Sequence, residues 1–233
     1  MRADAGLSRR SFRLSEAWRR SSGGAQRPEI DSRLAGVEKR GDKTVVHSLS
    51  GKERNHYFAN RGGKEFTDLS AISGLDNVAD SRCWALLDYD RDGWQDVALV
   101  NANEPLFNLY HNNMPASRLR GGIIAVKFVG GNQTAAPSAY ACRDGYGAVL
   151  TAALGDITLT REHRCGDGFA SQHSAVMMLG LGDRKEAKAI TIRWPSGKTA
   201  TIKNIAEGTL LTCYENPADA PDGMAFNRGQ WRR

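Results

Sequence analysis

The chain has 233 residues, of which 40% are hydrophobic and 25% charged, with a formal net charge of +6. These proportions suit a globular protein of one large or two small domains, and no run of about 18 apolar residues exists to form a membrane-spanning helix. Residues 1–60 hold 13 Lys/Arg against 7 Asp/Glu, whereas residues 61–233 carry 19 of each sign. The positive excess is therefore a feature of one end, and no basic segment interleaved with aromatics remains to bind nucleic acid.

Residues 1–34 are polar and rich in Arg, Ser and Gly, which predicts a disordered basic segment. Within it "SRRSFRL" (8–14) has the outline of a twin-arginine export signal. "SEAWRRSSGGAQRPE" follows where an apolar stretch is required, so no convincing signal peptide is expected. Helical periodicity is weak everywhere except residues 15–20. From residue 35 the pattern changes to short β-type runs separated by turn residues. "KTVVHSL" (43–49) reads as a strand. "HYFANRGGKEFTDLS" (56–70) reads as a hairpin turned at Gly62 and Gly63. "RCWALLDY" (82–89), "DVALVN" (96–101) and "LFNLYHNN" (106–113) read as three more strands. The polar stretch "MPASRLRGG" (114–122) is the best domain boundary.

Beyond it come "IIAVKFVG", "YGAVLTAAL", "DITLTREHRC", "SAVMMLGLG", "KAITIRWPSG", "KTATIKNI" and "GTLLTCYEN". Ile190, Ile192 and Trp194 alternate with Thr191 and Arg193, and Ile202 opposes Thr199, Thr201 and Lys203. Such alternation marks antiparallel strands with one buried and one wet face. "LGDI" (154–157) and "WPSGK" (194–198) carry hairpin-turn chemistry. The fold class is all-β. Four cysteines, Cys83, Cys142, Cys165 and Cys213, lack the C-x-x-C spacing of a zinc site.

One stretch carries chemistry. In "WALLDYDRDGWQDVALV" (84–100), Asp88, Asp90, Asp92 and Asp96 occupy loop positions 1, 3, 5 and 9, with Gly93 at 6 and Trp94 at 7. Calcium takes six to eight oxygens at about 2.3–2.6 Å, best supplied by carboxylates on a tightly turning loop plus a backbone carbonyl. Alternate residues of such a loop point inward. The predicted ligands are therefore Asp88, Asp90, Asp92, Asp96 and the Trp94 carbonyl. Without a cation the four carboxylates would repel one another. An EF-hand is excluded, because position 12 is Leu99 rather than a bidentate Glu and the flanks read as strands.

The loop followed by "NLYHNN" resembles an FG-GAP/VCBS repeat, the unit of a propeller blade, and "HYFANRGGKEFTDLSAISGLDN" (56–77) resembles the strands leading into it. "CRDGYGA" (142–148), "GDGFASQ" (166–172), "LGLGD" (179–183) and "IRWPSGK" (192–198) resemble the ASPIC/UnbV domain that follows such repeats in the cartilage acidic protein family. The resemblance implies partial propeller blades with a calcium loop over residues 35–115. An antiparallel β-sandwich-like domain over 120–216 and a flexible tail over 217–233 would follow. A propeller closes with several blades, and this chain supplies one calcium loop and about one and a half blades, so an N-terminally truncated chain is expected. Cys142 stands where the family commonly has Asn, and Cys165 precedes "GDGFASQ"; a Cys142–Cys165 bridge is one possible pairing.

The function expected from these features is a non-enzymatic, calcium-binding β-repeat protein, periplasmic or extracellular by resemblance. It would meet a protein or glycan partner in adhesion or matrix contact. No G-x-S-x-G or H-E-x-x-H motif occurs, and His47, His56, His111, His163 and His173 are scattered. Asp144 and Asp167 lie in Gly-rich turns, where Asp ordinarily bonds local backbone. The alternatives are a non-catalytic part of a larger extracytoplasmic enzyme, or a carbohydrate-binding module using Tyr140, Tyr146, Phe169 and Trp194.

Overall fold

The computed structural model describes residues 8–10, 37–46, 54–102, 105–113 and 122–231. Most of the basic segment 1–34, the weakly helical residues 15–20, His47 and nearly all of the boundary at 114–122 lie outside them. Among the described residues the chain is all-β, with several separate sheets and no closed barrel or ring of blades. No helix of these residues is long and apolar enough to cross a membrane. The contacts divide the chain into two units, one of residues 1–85 and 96–113, the other of 86–95 and 114–233.

In the first unit, β1 (Ser8–Arg10) is followed by a hairpin of β2 (Val37–Arg40) and β3 (Lys43–Val46). A second hairpin joins β4 (Phe58–Asn60) to β5 (Phe66–Asp68) across Gly62 and Gly63. One turn of helix, α1 (Ser70–Ser73), leads to β6 (Ser81–Leu87), β7 (Asp96–Asn101) and β8 (Phe107–His111). The four-stranded sheet runs in the order β1-β8-β7-β6. Its interior is partly polar: Asn101 donates to the Asn108 side-chain oxygen at 2.8 Å, and Asn77 donates to the Tyr110 hydroxyl at 2.9 Å. The buried Asn101 and Asn108 thus find the partners their burial requires.

The second unit holds two four-stranded sheets. One, in the order β11-β10-β13-β14, contains β10 (Val149–Ala153), β11 (Thr158–Glu162), β13 (Glu186–Arg193) and β14 (Thr199–Ala206). The other, in the order β12-β9-β15-β16, contains β9 (Ile123–Val129), β12 (Val176–Gly180), β15 (Thr209–Tyr214) and β16 (Phe226–Gln230). Leu150, Ile190, Ile192 and Ile205 from the first sheet and Ile124, Val126, Leu179 and Leu211 from the second form one apolar cluster. Each such side chain removed from water contributes roughly 1.5–3 kcal/mol. The predicted alternation is realised on β13, where Ile190 and Ile192 are buried and Arg193 exposed.

Strand β9 explains why "IIAV" is continuously apolar. Ile124, Val126 and Phe128 face the shared core, while Ile123 and Ala125 join Trp231, Val176, Met178 and Leu210 on the other face. A strand covered on both faces has no polar side to show.

Two expectations for this region require correction. Strands β9 and β15 pair in parallel, with Leu210 opposite Ala125 and Tyr214 opposite Val129, whereas an antiparallel arrangement was expected. The chain between them forms the whole opposing sheet, a connection long enough to bring β15 back in the same direction. Residues 217–233, expected as a flexible tail, carry a 3-10 turn at Pro217–Asp219 and then β16, paired with β15 from Thr209–Gln230 to Cys213–Phe226.

The glycine of "CRDGYGA" has a definite task. Gly145 has φ +68°, and a Cβ there would stand 2.8 Å from the Phe128 Cβ and 2.9 Å from the Trp194 ring. Only glycine meets both the left-handed backbone and the close approach.

Candidate metal centre

The aspartate loop is a single covalent stretch between β6 and β7, and its shape follows from local hydrogen bonds. Asp90 Oδ1 accepts the Asp92 N–H at 3.2 Å, and Asp92 Oδ1 accepts the Trp94 N–H at 2.7 Å. Asp88 Oδ2 accepts the Gly93 N–H at 3.0 Å from five residues away. Gly93 has φ +92°, where a side chain would be strained, and Arg91 has φ 61°. The chain therefore folds back upon Asp88.

Within this stretch Asp88 and Asp90 offer carboxylate oxygens lying within 4.8 Å of each other. Asp88 is 8% exposed and Asp96 1%, while Asp90 is exposed. Asp96 Oδ1 accepts the Asn112 N–H at 2.8 Å. The structure thus brings Asp88 and Asp90 together, with Asp92 on the same loop.

Asp88 is the most informative member. Its Oδ2 accepts two bonds, from the Gly93 N–H and from the Trp231 indole Nε1 at 2.8 Å. Its Oδ1 is buried and has no hydrogen-bond partner among the described residues. A buried carboxylate oxygen left bare costs free energy, unless a cation or a water supplies the missing partner. The donor set is oxygen-rich and anionic, which suits a hard divalent ion. Trp231 is the residue that sequence reasoning missed, since it fell within the supposed tail.

His56, Asp68 and Ser70 lie together on exposed backbone near the β4–β5 hairpin. His56 Nδ1 is 3.5 Å from Ser70 Oγ and 3.5 Å from Asp68 Oδ2, and Ser70 donates its hydroxyl to Asp68. One imidazole nitrogen thus faces both groups, whereas a nucleophilic triad needs one nitrogen for each. Hydrogen bonding from Ser70 holds the Asp68 carboxyl below its usual range.

Asp144 is paired with Arg143 at 3.1 Å, which lowers its carboxyl pKa. His163 lies stacked between Phe128 at 4.6 Å and Tyr146 at 4.8 Å, with Nε2 3.1 Å from the Asp144 carbonyl. A carbonyl accepts, so the neutral ring carries its proton on Nε2. Burial lowers the His163 pKa.

The aromatics considered for sugar stacking do not form a platform. Trp194 is 1% exposed, Tyr140 lies under the Lys198 ammonium at 3.2 Å, and Tyr146 is stacked on His163. Of that set Phe169 alone is a freely exposed ring. All four cysteines are free thiols, so Cys142 and Cys165 are not bridged here; burial pushes the Cys213 thiol up.

Residues 139–220 match the protein family described as ASPIC and UnbV. That span contains the four motifs "CRDGYGA", "GDGFASQ", "LGLGD" and "IRWPSGK". A search of curated proteins finds no match.

Proposed function

We propose that the loop 88–96 holds a calcium ion and that the chain is a non-enzymatic, calcium-dependent β protein acting outside the cytoplasm in contact with a protein or glycan partner. The observation that carries this reading is the buried, unpartnered Oδ1 of Asp88 beside the carboxylate of Asp90, with Asp96 the last acid of the same loop. Asp92 and the Trp94 carbonyl complete the proposed oxygen set, and the bound ion would neutralise their mutual repulsion. The β6–loop–β7 arrangement supports an FG-GAP/VCBS-like loop over an EF-hand, since strands flank it on both sides. The ASPIC and UnbV match supports an extracytoplasmic setting, where calcium is abundant enough for a weak site.

The test is thermal melting during calcium titration of the wild type and of Asp90→Ala. For a Kd on the order of 1 mM, 10 mM calcium stabilises by about 1.4 kcal/mol, raising Tm by about 3–6 °C. The rise should vanish in the variant. A wild-type Tm indifferent to millimolar calcium would remove the ion from the account.

A further inference from the structure

We infer that Trp231 is a positioning residue for the metal ligand Asp88, and that ion binding is thereby linked to the docking of the C-terminal strand β16. The inference rests on the calcium reading above. Trp231 is 6% exposed. Its backbone N–H donates to the Gly208 carbonyl at 2.8 Å, and its ring packs on Ile123 and Ala125, with Val176, Met178 and Leu210 alongside. The Arg91 guanidinium, from the aspartate loop itself, lies 5.2 Å from the centroid of the indole ring. The ring is thus held by an apolar face, a backbone bond and a cation, and has one polar atom, Nε1, to place.

That atom donates to Asp88 Oδ2 at 2.8 Å. With the Gly93 N–H on the same oxygen, the two donors fix the carboxylate so that Oδ1 is the oxygen left for a ligand. Groups that orient a ligating side chain commonly alter metal affinity by about 10–100-fold when removed. Linkage then runs both ways: a group that strengthens ion binding is itself held more firmly when the ion is bound.

Trp231→Phe keeps the apolar plug and removes the donor, so it separates positioning from packing. In the full chain, calcium affinity read by isothermal titration should fall about tenfold or more, and calcium should raise the Tm of the variant less than that of the wild type. A second measurement needs no altered tryptophan: amide hydrogen exchange of the peptide spanning 226–231, with and without calcium. Calcium should slow that exchange in the wild type and leave it unchanged in Asp90→Ala. Equal affinity in wild type and Trp231→Phe, or exchange in β16 that ignores calcium while the wild type binds it, overturns the positioning role and leaves the calcium site standing. A wild type that binds no calcium overturns both.

Discussion

Replacing Glu215 tests how the region matching the ASPIC and UnbV family is held together. This carboxylate is 6% exposed and sits just past β15. Its Oε2 accepts the Gly131 N–H at 2.9 Å and the Ala141 N–H at 2.7 Å, and its Oε1 accepts the Ser196 hydroxyl. One side chain thus joins the loop after β9 to the "WPSG" turn. Glu215→Ala leaves two backbone donors without an acceptor, one of them on the buried Ala141. Each hydrogen bond to a charged group contributes about 1.5–3 kcal/mol, and such losses overlap, so the expected destabilisation is about 3–5 kcal/mol. Glu215→Gln keeps one oxygen for both N–H groups and turns its amide toward Ser196, whose oxygen can accept. Its expected cost is about 1–2 kcal/mol. For a chain of this size these figures correspond to roughly 6–20 °C and 2–8 °C in Tm. Circular dichroism melts in chelator, free of any metal contribution, read both. An alanine variant within 1 kcal/mol of wild type, or a glutamine variant as unstable as alanine, would refute the reasoning.

Two further outcomes follow from geometry already given. Gly145→Ala places a side chain on a backbone at φ +68° and against carbons of Phe128 and Trp194 at 2.8 and 2.9 Å. Strain and overpacking together should cost about 2–5 kcal/mol, measured by urea denaturation. His163 takes up its proton at lower pH in the folded state than in the unfolded chain, because burial between two rings disfavours the cation. Its neutral form therefore stabilises the fold fully above the unfolded value near 6.5, and that contribution is lost as pH falls below it. His163→Phe should flatten the fall in unfolding free energy between about pH 7 and 5 relative to wild type; an unchanged slope would assign the fall to other groups.

Much of the strand pattern was legible because alternation is a local signal. Ile190, Thr191, Ile192 and Arg193 announce both the strand and its buried face, and the structure obeys them. Direction of pairing is not local. Nothing in "IIAVKFV" or "TLLTCY" encodes that β9 and β15 run parallel, since that depends on the chain that lies between them. Strand β16 was illegible for another reason. Its residues, Phe226, Asn227, Arg228, Gly229 and Gln230, are mostly polar and half of their surroundings are wet, so hydrophobic periodicity has little to register. The aspartate loop was legible because D-x-D-x-D-G fixes position by short-range turning, and Gly93 adopts the positive φ that pattern requires. Its supporting indole was not, because Trp231 is separated from Asp88 by 143 positions.

That long-range bond bears on what holds the proposed calcium loop in shape. A propeller blade normally gains its rigidity from neighbouring blades, and here no ring of blades is present among the described residues. Residues 86–95 instead group with the C-terminal unit. Leu86 donates its N–H to His173 Nδ1 at 3.2 Å and accepts the Ser174 N–H at 2.9 Å, and Asp88 takes the Trp231 bond. Backbone and side-chain partners from that unit therefore fix the first residues of the loop. Rigidity of the ligating side chains is what converts a set of carboxylates into an ion site, because otherwise binding must offset the entropy of ordering them. On this reasoning calcium affinity should follow the integrity of β16 and the His173 contact more closely than the presence of further blades.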